Sequence, residues 1–350
     1  MADQASNQES QARPTTCLSR FRKAFFSLLV LLIVIGGGET LCRVLGLGRR
    51  IEVAKHVSEW QRSLDGQPFW VMRGADYNSD GMRDREHSID KPRGVYRIIC
   101  LGDSVTVGHG VARSETYARH LESFLGQLGL DVEVLSIAVS GWSTQQQAIA
   151  YQTIARKYHP DQVFVGFCLN DVAEMFNNLT EPPPSVVSFL LRHSALVRFL
   201  INAEGRQVHY VEELFTKSDS PAIKEGWRRV FEQLLLLKDM GRADKCAVSV
   251  IVFPFRFQLG DDPPPPIAQT TLTTFCRQND IPCLDLLPAL RDAGLEAFID
   301  ESHLSPTGAR ATARELVRWG RSGCEMCGYE LTGVAADRCP RCGHAIMNRP

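Results

Sequence analysis

From Tyr96 onward the chain alternates short, continuously apolar runs with longer amphipathic stretches, and this alternation constrains the fold more than any other feature. Val95 to Leu101, Val132 to Val139, Gln162 to Cys168, Ala247 to Phe255 and Ile281 to Leu286 have the length and β-branched content of buried parallel strands. The stretches between them carry apolar residues at helical spacing. Ala118, Leu121, Phe124, Leu125 and Leu128 share one helical face, as do Ala148, Tyr151, Ile154, Ala155 and Tyr158. Ser143 with Gln146 makes a capping-box pattern, and Ser220 followed by Pro221 opens a helix through Trp227, Phe231 and Leu234. Repeated strand-helix-strand units predict an α/β fold: a parallel sheet covered on both faces by helices.

Ligands of such sheets sit at the carboxyl ends of the strands. The residues just after the first three runs are Gly102-Asp103-Ser104, Ser140-Gly141-Trp142 and Leu169-Asn170-Asp171, three turns that converge on one edge. Near the end of the region, Asp300 precedes His303 by three residues, ahead of a helix that begins near Thr307. A carboxylate so placed can turn back to hold the Nδ1 proton of the ring and leave Nε2 free to take a proton from a hydroxyl. Each feature has a plainer reading when taken singly. Gly-Asp-Ser is ordinary turn chemistry, and Asp-x-x-His is also a capped turn with a histidine packed at a helix start.

The four blocks in order, each at a strand end, resemble the SGNH/GDSL hydrolase family across roughly residues 95 to 320. The resemblance implies a three-layer α/β/α sandwich and acyl chemistry without a catalytic cofactor. It implies Ser104 as nucleophile, His303 as base and Asp300 as its partner, with Ser104, Gly141 and Asn170 as oxyanion donors. An oxyanion formed by attack of Ser104 needs such donors and no metal. The family's third block reads Gly-x-Asn-Asp, whereas Cys168 holds the first place here, with Gly166 two residues earlier; Cys168 is expected to be a small buried hydrophobe. The α/β-hydrolase scaffold fits worse, because Gly102-Asp103-Ser104-Val105-Thr106 lacks the second glycine of its nucleophile turn. His109, in the loop after Ser104, reads as a solvated histidine.

The N-terminus differs in kind. Ala24 to Gly38 is a continuous apolar run, extendable to Leu47, which suits a single-pass membrane helix. A cleaved signal peptide is the competing reading; the lack of a small-x-small cleavage site favours the anchor. Arg20, Arg22 and Lys23 against the run point to a cytoplasmic N-terminus and an extracytoplasmic globular part. The formal net charge of -1 argues against nucleic acid as a partner. The expected division is a polar leader (1–23), an anchor (24–47), a linker and lead-in (48–94), a hydrolase domain (95–320) with a lid-like insertion (174–220), and a C-terminal module (321–350).

That last module carries Cys324-x-x-Cys327-Gly and Cys339-x-x-Cys342-Gly. Two such knuckles suit four thiolates around one structural zinc, a zinc ribbon able to bind a protein partner, with two disulfides as the alternative in an oxidising compartment. The activity expected of the whole is ester hydrolysis, on an acylated saccharide or envelope polymer. Acyl transfer to a sugar hydroxyl, or a non-catalytic tethered interaction protein using the ribbon, are the alternatives. Metal analysis of the full chain should find one zinc per chain; metal-free protein lacking reactive thiols would favour disulfides.

Overall fold

The computed structural model describes residues 17–47, 57–63, 66–172, 185–201 and 203–322. The cysteines expected to bind zinc, Cys324, Cys327, Cys339 and Cys342, lie outside the described residues. Among the described residues no group of histidine, cysteine, aspartate and glutamate side chains could hold a metal ion.

Along the chain run α1 (Cys17–Leu45), β1 (Val57–Arg62), β2 (Pro68–Arg73), β3 (Tyr96–Gly102), α2 (Ser104–Val107), α3 (Tyr117–Gln127), β4 (Val132–Ala138), α4 (Thr144–Thr153) and β5 (Gln162–Cys168). There follow α5 (Ser185–His193), α6 (Ala195–Ile201), α7 (Ala203–Thr216), α8 (Pro221–Asp244), β6 (Ala247–Phe253), α9 (Ile267–Gln278), β7 (Cys283–Asp285), α10 (Leu287–Ala293) and α11 (Pro306–Ser322). These elements form two compact units.

The first unit comprises α1, α5 and α6. Phe21–Leu45 of α1 is 25 residues long and contains an 18-residue window with a mean hydropathy of 2.1, long and apolar enough to cross a membrane; a signal sequence meets the same description. Near its C-terminal end, Glu39 accepts hydrogen bonds from Ser194 Oγ at 2.7 Å and from the amides of Ala195 and Leu196 at 3.0 and 2.9 Å. Arg43 binds Glu39 at 2.7 Å and donates from Nη2 to the His193 carbonyl at 2.9 Å.

The second unit is built on a five-stranded sheet in the order β4-β3-β5-β6-β7, parallel throughout. The strand order explains the layers. From β3 the chain crosses to β4 on one side and then returns past β3 to β5, β6 and β7 on the other. Because such crossovers are right-handed, the reversal puts α3 on one face and α4, α8 and α9 on the opposite face. The packing agrees: α3 pairs with α11, and α4 with α8. Ile98, Ile99, Leu101, Val163, Val165 and Phe167 of the central strands are wholly buried, as expected of strands covered on both faces. All five strand runs agree with the pattern to within two residues at each end. The fifth pairs only at Cys283–Asp285, since Pro282 offers β6 a carbonyl but no amide.

The helix signals hold with local exceptions. Ser220 caps α8 by accepting from the Ile223 amide at 3.3 Å, and Gln146 Oε1 accepts the Ser143 amide at 3.0 Å. Leu128 leaves the buried face, at 36% exposure, because α3 has ended. Within the lead-in, β1 and β2 form an antiparallel hairpin that the sequence pattern did not announce. It adds Phe69, Trp70 and Val71 to the core.

The reversal of strand order leaves a crevice at the carboxyl end of β3, and two glycines shape it. Gly102 of β3 pairs with Gly166 of β5. A Cβ on Gly102 would lie 2.1 Å from Thr106 Oγ1, and one on Gly166 would lie 2.6 Å from the same atom. Thr106, fully buried and 3.0 Å from the Tyr117 hydroxyl, fills the space the glycines leave. Gly166→Ala should therefore cost about 1–3 kcal/mol, read as a lower urea midpoint at unchanged slope. An unchanged midpoint would mean that Thr106 is not confined there.

Candidate active site

The turn after β3 places Ser104 at the head of α2. Asp103 caps this helix, its Oδ1 accepting the Val105 amide at 2.9 Å. The helix lasts one turn and closes at Gly108, whose φ of 74° is left-handed backbone that suits glycine. The exit is then clamped. Arg83, from the lead-in, donates to the carbonyls of Val107, Gly108 and Val111 at 3.2, 2.8 and 2.9 Å.

His303 approaches from the loop before α11, and the loop organises itself. Asp300 Oδ1 accepts the amides of Ser302 and His303 at 2.9 and 2.7 Å, while Ile299 N–H binds the His303 carbonyl at 2.9 Å. The second carboxylate oxygen, Oδ2, is 2.7 Å from His303 Nδ1. On the far side of the ring, Nε2 lies 2.9 Å from Ser104 Oγ, a contact between residues 199 positions apart. Burial raises the pKa of Asp300, but the ring hydrogen bond, the His303 charge and the two amides outweigh it and hold the carboxyl at about 2.

The other two turns flank Ser104 because β4 and β5 are the neighbours of β3. Gly141 sits at φ 84°, so backbone conformation demands glycine there, while a Cβ would meet only Trp70 Cζ2, at 3.5 Å. The turn is held by Trp142, wholly buried, whose Nε1 donates to the Trp70 carbonyl at 2.9 Å. Asn170 is buried at the end of β5 and its side-chain amide hydrogen-bonds the Asp103 carboxylate. Cys168 is buried in β5 without a positive φ, so this backbone does not require the glycine usual at its position.

Beneath these turns lie two buried carboxyls. Burial pushes Asp103 up to about 6, against the pull of the Val105 amide, the His303 charge and Asn170. Burial, followed by the charge of Asp103, pushes Asp171 well above the carboxylate range although Thr144 Oγ1 and Gln147 Nε2 donate to it at 2.9 and 3.3 Å. His109 is not the solvated loop histidine its position suggested. Its ring is half-buried against His303, with centroids 4.6 Å apart and planes 37° apart, and burial and the His303 charge lower its pKa.

Sequence reasoning thus named the residues brought together here: Ser104, His303, Asp300, Gly141 and Asn170. It missed His109, Arg83 and the Asp103–Asn170 link. Only Asp103 had a signal, being the middle residue of Gly-Asp-Ser. The electrostatics make stability depend on acid. Asp300 ionises more readily in the folded chain than at the usual 3.8, so its stabilisation, about 2 kcal/mol, is full above about pH 4 and lost as pH falls through about 2. Urea unfolding between about pH 5 and pH 2 should show the wild type losing about 2 kcal/mol more than Asp300→Asn. Equal losses would mean that Asp300 gains nothing from its partners.

No curated protein matches the chain. The model of the GDSL-like Lipase/Acylhydrolase family matches residues 100–311, more than half of the 350-residue chain. Among solved structures, the lipase Lip_vut3 from a goat rumen metagenome is similar at 16% identity, covering 64% of this chain and 96% of its own, with a TM-score of 0.43. The acetyl xylan esterase AlAXEase is similar at 12% identity, covering 63% and 98%, with a TM-score of 0.42. TesA is similar at 14% identity, covering 63% and 96%, also with a TM-score of 0.42. The family match spans all four turns of the site from Gly102 to His303, and the chain belongs to the GDSL-like lipase/acylhydrolase family, as an ester hydrolase of SGNH type.

Proposed function

We propose that this hydrolase works through an acyl-enzyme on Ser104, with His303 as general base and Asp300 as the group that orients it. The observation that carries the reading is the hydrogen-bonded line from Asp300 Oδ2 through the His303 ring to Ser104 Oγ, with contacts of 2.7 and 2.9 Å. A neutral ring that donates its Nδ1 proton to Asp300 presents the lone pair of Nε2 to the hydroxyl.

As Oγ attacks the acyl carbon, its proton passes to Nε2 and the carbonyl electrons move onto the oxygen. The amides of Ser104 and Gly141 and the side-chain amide of Asn170 are the donors for that oxyanion. The Asn170 side chain carries two N–H bonds on one nitrogen, and it sits at the end of β5 beside the Asp103 carboxylate whose pKa it lowers. Collapse breaks the ester C–O bond and the departing alcohol takes the proton from His303. Water then repeats the sequence in reverse, restoring the serine and releasing the acid.

The apolar α1 supports a membrane anchor over residues 24–47, with the hydrolase domain of 95–320 outside the membrane and an acylated saccharide or envelope polymer as substrate. Zinc held by the C-terminal cysteines would fasten that module and plays no part in the acyl chemistry. Transfer differs from hydrolysis only in what attacks the acyl-enzyme, and product analysis with and without a sugar acceptor distinguishes the two.

Ser104→Ala in the full chain should lower hydrolysis of an activated acetyl ester by at least about 10³-fold and abolish labelling by an active-site phosphonate. Unchanged turnover would overturn the assignment of the nucleophile.

A further inference from the structure

In the first unit, α1 carries a carboxylate that a membrane-crossing helix has to account for. Glu39 directly follows the apolar run Ala24 to Gly38, and a charge at that depth is costly unless it is paired. Its partners are supplied by the start of α6: the Ser194 hydroxyl and the amides of Ala195 and Leu196. Arg43 joins the same cluster, bonding Glu39 and the His193 carbonyl. At Gly38 the approach is close, since a Cβ there would lie 3.2 Å from Leu196 Cδ2. The α5–α6 segment, in which Ser194 alone separates the two helices, is therefore fastened to one end of α1 by polar contacts that satisfy a group within the long apolar helix.

The α5–α6 segment leaves five large apolar side chains exposed. Val186, Phe189 and Leu190 fall on one face of α5 and are 69%, 61% and 40% exposed. On α6, Phe199 and Leu200 are exposed by 44% and 71%. The end of α1 that holds the segment also shows exposed apolar side chains, Leu41 and Val44, at 56% and 77%.

Depth follows from length. The 25 residues of Phe21–Leu45 make a helix of about 37 Å, longer than a hydrocarbon layer of about 30 Å, so an end emerges from it. A layer that starts at Ala24 takes about 20 residues to cross, so its far boundary falls near Arg43 with Glu39 about one helical turn inside it, and the α5–α6 segment they hold stands at that boundary. The geometry points to α5–α6 as a second membrane element, lying in the interface with Val186, Phe189, Leu190, Phe199 and Leu200 among lipid acyl chains. The inference rests on the reading of α1 as an anchor. Lipid is the occupant because the exposed apolar side chains belong to a segment that Glu39 and Arg43 fix to one end of the apolar α1.

The test uses the full chain in phosphatidylcholine liposomes whose acyl chains carry an alkyne tag. The photoreactive residue p-benzoyl-phenylalanine replaces Phe26 of α1, Phe189, Leu200 or, as a control in the second unit, the exposed Leu295. Lipid labelling at positions 189 and 200 should approach that at 26 and exceed that at 295 by about tenfold. Labelling at 26 without 189 and 200 would leave the anchor standing and overturn the membrane contact of the α5–α6 segment. No labelling at 26 would overturn the anchor, and the inference with it. A crosslink from 189 to a second protein copy in place of lipid would assign the face to self-association and also overturn the inference. Glu39→Ala should reduce labelling at 189 about tenfold while labelling at 26 persists. Unchanged labelling at 189 would overturn the role of the Glu39 contacts.

Discussion

The whole site depends on how closely one helical turn sits on the edge of the sheet. Thr106 enters the space left by two paired glycines on neighbouring strands, and this seating sets the height of Ser104 above β3. A side chain on either strand at that point would lift the turn and carry Ser104 away from His303. Arg83 then fixes the far end of the same turn through three carbonyls, so the backbone around the serine is held at both ends. Rigidity here has a chemical use, because hydrogen-bond donors aimed at a developing charge help most when they need not move to meet it.

Beneath that rigid turn lies an electrostatic cost. Asp103 and Asp171 are both fully buried, and each makes ionisation of the other harder. Asp103 recovers part of its cost by capping α2 and by binding Asn170, so one carboxylate serves the turn of β3 and the turn of β5 together. Asp171 reaches sideways to Thr144 and Gln147 at the start of α4. Buried polar groups thus tie the ends of neighbouring elements to one another, and stability is spent on placement. His109 adds a second imidazole against the first, and burial keeps it in its neutral form more readily than a free histidine.

Much of this could be read before any coordinates. Buried parallel strands announce themselves as unbroken β-branched runs, and residues that follow such runs belong to one edge of the sheet whatever the distance between them in sequence. That is why the turns after β3, β4 and β5 could be assigned to one edge, whereas His303, in the loop before α11, was assigned through the family pattern. The misses have physical causes too. The β1–β2 hairpin is short, and its burial comes from packing on a core that the local sequence does not reveal. Arg83 works through backbone carbonyls, which carry no residue signature. His109 sits in a loop that reads as solvent-exposed until α2 closes and turns it toward His303. Cys168 is the small buried side chain its sequence context suggested, and the strand runs through it without a positive φ.

The loop that carries His303 has a consequence for assembly. Asp300 binds the backbone and the ring of a residue three positions away, so the carboxylate and the imidazole form a local unit whose internal geometry costs almost no chain closure. Only one long-range distance then remains to be met, from Nε2 to Oγ. A three-body search becomes a two-body docking, completed when the C-terminal segment settles on the sheet that already holds the serine. During biosynthesis the Ser104 turn emerges early, and its contact with His303 forms only once the loop before the last described helix has followed it.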